Sequence, residues 1–380
     1  MKKIINYGSH NINNKDIQLV SKALRNPIIT QGPFVKKFES DLSKKFKSKF
    51  CTVVSNGTSA LYLVGKLLNW RKGDTILTTP ISFLATSNCI ELCNAETKFI
   101  DIEKKTTTID PNRVENFLKK TKKKIKALIG VDFAGHPCDW KSLRYLANKY
   151  NFILINDGCH AMGSKLDNQF GYAKKFADFV TQSFHPVKAF TSGEGGSILC
   201  NDPKLDRQLK ILRNNCMVKG FSKELWKYDM HQPGFNFRLS DINCALGISQ
   251  LKKLNTFVKQ RRKIAKKYNE IFSNCQNITI PTELKNVYHS YHLYPLQINF
   301  NKLKLNKNLF FKKMFREGIK LQVHYIPIFM QPYYKKKYKL KTRNFKNSFE
   351  FYQKEVSIPI YPGLSVSQLN FITEKIFKLI

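Results

Sequence analysis

Short apolar runs recur through the first two-thirds of this chain, separated by stretches with helical spacing. Residues 51–54, 75–78, 97–100, 127–131, 152–156, 179–182 and 196–200 read as strands. Between and before them, Ile17, Val20 and Leu24, then Phe34, Phe38, Leu42 and Phe46, then Leu61, Val64 and Leu68 recur at intervals of three to four. Strands that alternate with helices predict an α/β fold whose sheet is mostly parallel and covered on both faces. A long helical region over 239–272 ends this pattern. After it come a strand over 293–298, a helix over 307–316 and a last helix over 367–379 that Ser365 or Ser367 can cap. We therefore expect an N-terminal segment and large α/β domain over 1–250, then a linking helix and small α+β domain over 251–380.

Composition narrows the class. With 380 residues, 42% of them hydrophobic, the chain can bury a large core, and no apolar run approaches the ~20 residues of a membrane helix. Met1 to Tyr7 lacks the long apolar stretch of a secretory signal, so a cytoplasmic location is expected. Nine scattered cysteines, never spaced Cys-x-x-Cys, fit reduced core thiols better than disulfides or a metal site. The net charge of +38 comes from dispersed lysine runs such as Lys119-Lys120-Thr121-Lys122-Lys123-Lys124. A polyanion-binding face is one reading. A lysine-rich solvated surface is the other, and no nucleic-acid motif accompanies the charge.

Chemistry concentrates in two places. Residues 152–156 deliver Asp157 to the end of a buried strand, where open α/β sheets bind ligands. Ser183 and Lys188 open a segment that closes in Gly193-Glu194-Gly195-Gly196. A lysine among apolar neighbours has its pKa lowered by burial, which frees the amine for a Schiff base and for proton transfer. A carboxylate that keeps a pyridine nitrogen protonated completes what pyridoxal phosphate (PLP) requires. Gly57-Thr58-Ser59, between a strand and a helix, makes a phosphate site, although Ser and Thr also cap helices that bind nothing. Phe83 can stack on a flat ring or serve only the core, and His160 can face the cofactor or be structural.

These segments, in this order, resemble the DegT/DnrJ/EryC1/StrS sugar aminotransferases, PLP-dependent transferases of fold type I, over nearly the whole chain. The resemblance implies that Lys188 is the Schiff-base lysine and Asp157 the partner of the ring nitrogen. It implies that His160 follows in the cofactor site, Phe83 stacks on the ring, and Gly57, Thr58 and Ser183 hold the phosphate. Asn236 matches a residue that reaches the other subunit's cofactor, which implies a homodimer with shared active sites. Ile29-Thr30-Gln31-Gly32-Pro33, Thr78-Thr79-Pro80-Ile81-Ser82-Phe83, Val131-Asp132-Phe133-Ala134-Gly135 and Gln322-Val323-His324-Tyr325-Ile326-Pro327-Ile328 sharpen it toward the pseudaminic acid branch. There Tyr7, Pro27, Ile28, Ile29, Thr30, His324, Tyr325, Ile326 and Pro327 would face the sugar nucleotide. The implied reaction moves an amino group, from L-glutamate, to the C4 keto group of a UDP-linked 2-acetamido-2,6-dideoxy hexose. No metal, membrane or nucleic acid takes part. Gly158-Cys159 departs from the Ala or Ser usual there.

Three rivals remain open at this point. One is a dehydratase-like relative with histidine in place of the lysine, which Lys188 argues against. Another is an aminotransferase for a dTDP- or GDP-linked keto sugar. The third is a regulatory or nucleic-acid-binding protein on the same fold.

Overall fold

The computed structural model describes residues 4–218 and 224–380; Met1 and the basic Lys2 and Lys3 lie outside them. Seven strands form the main sheet: β1 (Phe50–Val54), β2 (Thr75–Thr78), β3 (Glu96–Phe99), β4 (Ile125–Val131), β5 (Ile153–Asp157), β6 (Phe179–Ser183) and β7 (Gly196–Cys200). Their spatial order is β1-β7-β6-β5-β4-β2-β3. β7 runs antiparallel to β1 and β6, and the remaining pairs are parallel. The mostly parallel α/β sheet expected from the sequence is thus observed.

Why the runs read as continuous apolar strands is visible in their packing. Successive side chains point to opposite faces, and both faces are buried. Leu77, Leu128, Leu154, Val180 and Leu199 join one core with Phe38 and Trp140. Their chain neighbours Ile76, Ile129, Ile155, Phe179 and Ile198 join the other with Val64 and Ile90. A sheet buried on both sides has no polar alternation to display.

The long helical region divides in two, Asp241–Leu251 and Leu254–Phe272. The second helix carries Leu254, Phe257 and Val258 into the core of the main sheet. Its later residues Ile264, Tyr268 and Phe272 enter a separate core with Tyr294, Leu296, Phe310, Val356 and Ile372. That core lies on a three-stranded antiparallel sheet of Ile278–Thr279, Tyr294–Ile298 and Glu355–Ile358. Ser365 caps the last helix, Val366–Phe377, in a reciprocal capping box with Gln368. The N-terminal segment docks here: Ile5 pairs with Ile319, and the Ile360 N–H donates to the Tyr7 carbonyl (3.1 Å). This pairing carries Tyr7 to the wall of a large cavity at the edge of the main sheet.

Candidate active site

That cavity, of about 640 Å³, opens at the C-terminal ends of β1, β2, β4, β5 and β6. Each of these strands lends it residues from its last position or from the turn beyond. After β1, Asn56 caps the helix Gly57–Leu67, its Oδ1 accepting from the Ser59 N–H at 2.8 Å. First-turn N–H groups lack intrahelical acceptors, so those of Gly57 and Thr58 remain available at the positive helix end. Glycine is required at 57 by proximity: a Cβ there would lie 2.9 Å from Ser183 Cβ and 3.3 Å from Cys159 Sγ. Two N–H groups and the Ser183 hydroxyl thus converge on one corner, a good fit for a phosphate.

β5 ends in Asp157, buried at 6% exposure. Its Oδ2 accepts from Thr86 Oγ1 (2.7 Å), and Thr86 is held in turn by Ser82 (2.6 Å). Its Oδ1 takes the Cys159 N–H at 3.3 Å. The carboxylate therefore has a fixed direction before any ligand arrives. Thr86 escapes a reading of the sequence, although it lies three residues past Phe83, in the first turn of the helix Ala85–Leu92.

Lys188 sits on the loop between β6 and β7. Phe184 and Gly195 close that loop by a backbone hydrogen bond (2.8 Å), and Ala189 and Phe190 bury themselves as its anchor. From behind, Arg261 Nη2 donates to the Val187 carbonyl (3.4 Å). The Lys188 amine lines the cavity without a hydrogen bond from the described residues. Burial lowers its pKa; the nearby Cys159 and Asp157 pull in the other direction. Cys159 fills the small-residue position beside Gly57, and burial, then the Asp157 charge, pushes its thiol well above the usual range.

His160 has its tautomer set by the backbone. Asp132, fully buried, accepts from the Cys138 N–H (2.8 Å), Trp140 Nε1 (2.9 Å), Asn156 Nδ2 (2.9 Å) and Tyr172 Oη (2.5 Å). This fixes the turn Phe133–Gly135, in which Ala134 takes a left-handed φ of 56° and offers its N–H to His160 Nδ1 (3.3 Å). The proton must then be on Nε2, which donates to Tyr325 Oη at 3.0 Å. Burial, and after it the positive charge of Lys188, keeps the ring neutral by lowering its pKa well below the histidine range.

Of the residues read from the sequence, Tyr7, Gly57, Thr58, Phe83, Asp157, His160, Ser183, Lys188, His324, Tyr325 and Ile326 line this one cavity. Phe83 is 56% exposed, a ring face turned to open space rather than to the core. Pro27, Ile28, Ile29 and Thr30 do not line it; they lie exposed on the surface. Pro327 is buried outside the lining, and Asn236 is exposed away from it with Oδ1 accepting from the Arg238 N–H (3.2 Å). His292, Cys159 and Glu194 line it in addition.

Residues 10–377 match the DegT/DnrJ/EryC1/StrS aminotransferase family. The chain belongs to this family. It is 36% identical, over 99% of its length and 98% of the relative's, to a UDP-4-amino-4,6-dideoxy-N-acetyl-beta-L-altrosamine transaminase of Campylobacter jejuni. It superposes on Helicobacter pylori PseC, an aminotransferase of pseudaminic acid biosynthesis, with a TM-score of 0.91, 30% identity and 99% of each chain covered. The PLP form of the Streptococcus pneumoniae sugar aminotransferase Spr1654 gives a TM-score of 0.90 at 25% identity, covering 99% of this chain and 100% of that one. Family membership decides the rivalry with a nucleic-acid-binding protein in favour of the enzyme, and the fold is that of the PLP aminotransferases. Among the described residues, no helix is long and apolar enough to cross a membrane.

Proposed function

We propose that the chain binds PLP in this cavity and transfers an amino group from L-glutamate to the C4 keto group of a UDP-linked 2-acetamido-2,6-dideoxy-hexos-4-ulose. One observation carries the reading. A lysine amine without a hydrogen-bond partner among the described residues, a carboxylate held by Thr86 and a phosphate corner at Gly57, Thr58 and Ser183 share one cavity at one sheet edge. Bound PLP would supply an aldehyde that carries the amino group and a ring that withdraws electrons from the reacting carbon.

The chain's own residues do the rest. Lys188 would anchor the aldehyde carbon, and its lowered pKa leaves neutral amine available to take and return a proton. Asp157 would hold the ring nitrogen, and Phe83 would cover one ring face. His160, kept neutral, orients the Tyr325 hydroxyl. The wall of Tyr7, His324, Tyr325 and Ile326 would take the sugar, in line with what the Campylobacter and Helicobacter relatives act on. A cytoplasmic setting belongs to the same reading.

The protein would work as a homodimer. In support, Ile17, Leu24, Ile28, Leu225, Trp226 and Phe235 are more than half exposed. Apolar exposure of that extent suits a second copy. Asn236, beside Phe235, would then reach the partner's phosphate corner.

Incubation with PLP, L-glutamate and a panel of UDP- and dTDP-linked 4-keto sugars tests the proposal, with products identified by NMR. The expected result is a 4-amino sugar from the UDP-linked 2-acetamido substrate. PLP binding with no amination of any 4-keto sugar would refute it.

A further inference from the structure

Behind the sugar-facing wall lies a chain of three buried groups. His324 Nδ1 is 2.8 Å from Ser357 Oγ, which is 2.6 Å from Glu355 Oε1. Glu355 Oε2 closes the ring by accepting the His324 backbone N–H at 3.0 Å. Ser357 and Glu355 are at most 1% exposed, yet His324 lines the cavity. Strand Glu355–Ile358 puts residues 355 and 357 on one face, two positions apart. The arrangement therefore comes directly from the strand period.

We propose that Glu355 and Ser357 are positioning residues: they fix the tautomer of His324 so that its Nε2 presents a lone pair to a hydroxyl or amide N–H of the bound sugar. The direction of the hydrogen bonds argues this. Once ionised, Glu355 only accepts, so the single Ser357 proton goes to Glu355 and the serine oxygen accepts from His324 Nδ1–H. A neutral imidazole then has no proton left for Nε2, and no described residue bonds to that atom. The ring is neutral because burial, and then the charge of Lys188, brings its pKa down to about 3. Burial pushes the Glu355 carboxyl up to about 8 against the opposing pull of Ser357, the Lys307 charge and the His324 N–H, so the relay takes this form in alkaline buffer, where the carboxyl is ionised. Lys307 stays near, its Nζ donating to the Tyr352 carbonyl at 2.6 Å. Beside this acceptor the cavity holds a donor. The Tyr325 ring is 4.9 Å from that of His324, and its oxygen already accepts from His160, which turns its own proton outward.

The proposal rests on the nucleotide-sugar reading for its ligand, but not for the tautomer. The test is therefore double, on the PLP-loaded protein in buffer alkaline enough to ionise Glu355. Imidazole ¹⁵N spectra, with His324 assigned from a His324→Asn variant, should show a protonated Nδ1 and a bare Nε2. In Glu355→Gln the amide donates to Ser357, Ser357 turns to donate to Nδ1, and the proton should move to Nε2. The KM for the UDP-linked keto sugar should rise roughly tenfold, as for one unsatisfied polar contact, with kcat within about twofold. Ser357→Ala, a smaller lesion should the Glu355 variant fail to fold, should release the tautomer and raise KM likewise. A bare Nε2 in both variants, or a wild-type KM in both, would overturn the assignment. The expected spectra without turnover of any UDP-linked sugar would uphold the relay and refute the proposed substrate instead.

Discussion

Gly57→Ala separates the phosphate corner from the helix that builds it. Gly57 opens the helix Gly57–Leu67, where alanine is the better helix former by at most about 1 kcal/mol. Its φ is not in the left-handed region, so the backbone itself accepts a side chain. The new methyl, however, would meet Ser183 Cβ at 2.9 Å and Cys159 Sγ at 3.3 Å. The first distance involves an atom next to the backbone of β6 and cannot be relieved by a rotamer. Either the helix start or Ser183 must move by several tenths of an ångström, and the two N–H groups and the hydroxyl no longer converge. One charge-assisted hydrogen bond is worth roughly 1.5–3 kcal/mol, or about ten- to a hundredfold in affinity. We expect PLP affinity, read by absorbance titration, to fall by that factor. The melting temperature of the cofactor-free protein should move little, because the helix gain offsets the clash. Ser183→Gly in the same chain removes the opposing Cβ and should recover part of the loss, less the contribution of the hydroxyl. Wild-type PLP affinity in Gly57→Ala would refute the convergence argument.

Lys188→Met should abolish amination and the cofactor absorbance that depends on the amine. It should also raise the stability of the cofactor-free protein at neutral pH. The folded-state pKa of Lys188 lies below its ordinary 10.5. Between the two values the unfolded chain binds more protons, so wild-type stability rises with pH through that window and the variant's advantage should shrink toward pH 10.5; a constant gap in thermal melts across that range would contradict it. Tyr325→Phe removes the acceptor of His160 Nε2–H at 3.0 Å. An unpaired buried donor costs roughly 1–3 kcal/mol, so kcat/KM should drop about tenfold with the circular dichroism spectrum unchanged.

Much of this site is legible in the sequence because strand ends are legible. Asp157 and Ser183 come directly after strand-like runs and Gly57 follows one after Ser55 and Asn56, and the run fixes the edge on which they emerge. Lys188 stands out by its setting of apolar and glycine neighbours, which becomes in three dimensions a closed loop with Ala189 and Phe190 as anchor. Relations between distant segments cannot be read in this way. Thr86 meets Asp157 across 71 positions, and His324 meets Ser357 across 33. Nothing in local pattern marks such a threonine or serine as different from a core hydroxyl. The break at Lys252 and Lys253 is hidden because helical periodicity continues on both sides of it. Ile17 and Leu24 mark a helix correctly, yet each is 57% exposed, and Asp16 and Ala23 are the buried residues. Their apolar stripe turns away from the core of this chain, which periodicity alone cannot distinguish from turning toward it.

That outward stripe and the exposed Asn236 lead to a test of shared sites that does not depend on the sugar. Suppose each active site takes Lys188 from one protomer and Asn236 from its partner. Chains with Lys188→Ala and chains with Asn236→Ala are then each inactive alone, for different reasons. In a mixed dimer of the two, both lesions fall in the same site, and the other site takes wild-type Lys188 and wild-type Asn236. Random pairing of equal amounts makes half of the dimers mixed, each with one intact site of two, so about a quarter of wild-type activity should return after unfolding and refolding together. If Asn236 served the site of its own chain, every site in the mixed dimer would carry one lesion and no activity would return. The exposure of Asn236, away from the cavity lined by Lys188, argues for the first outcome.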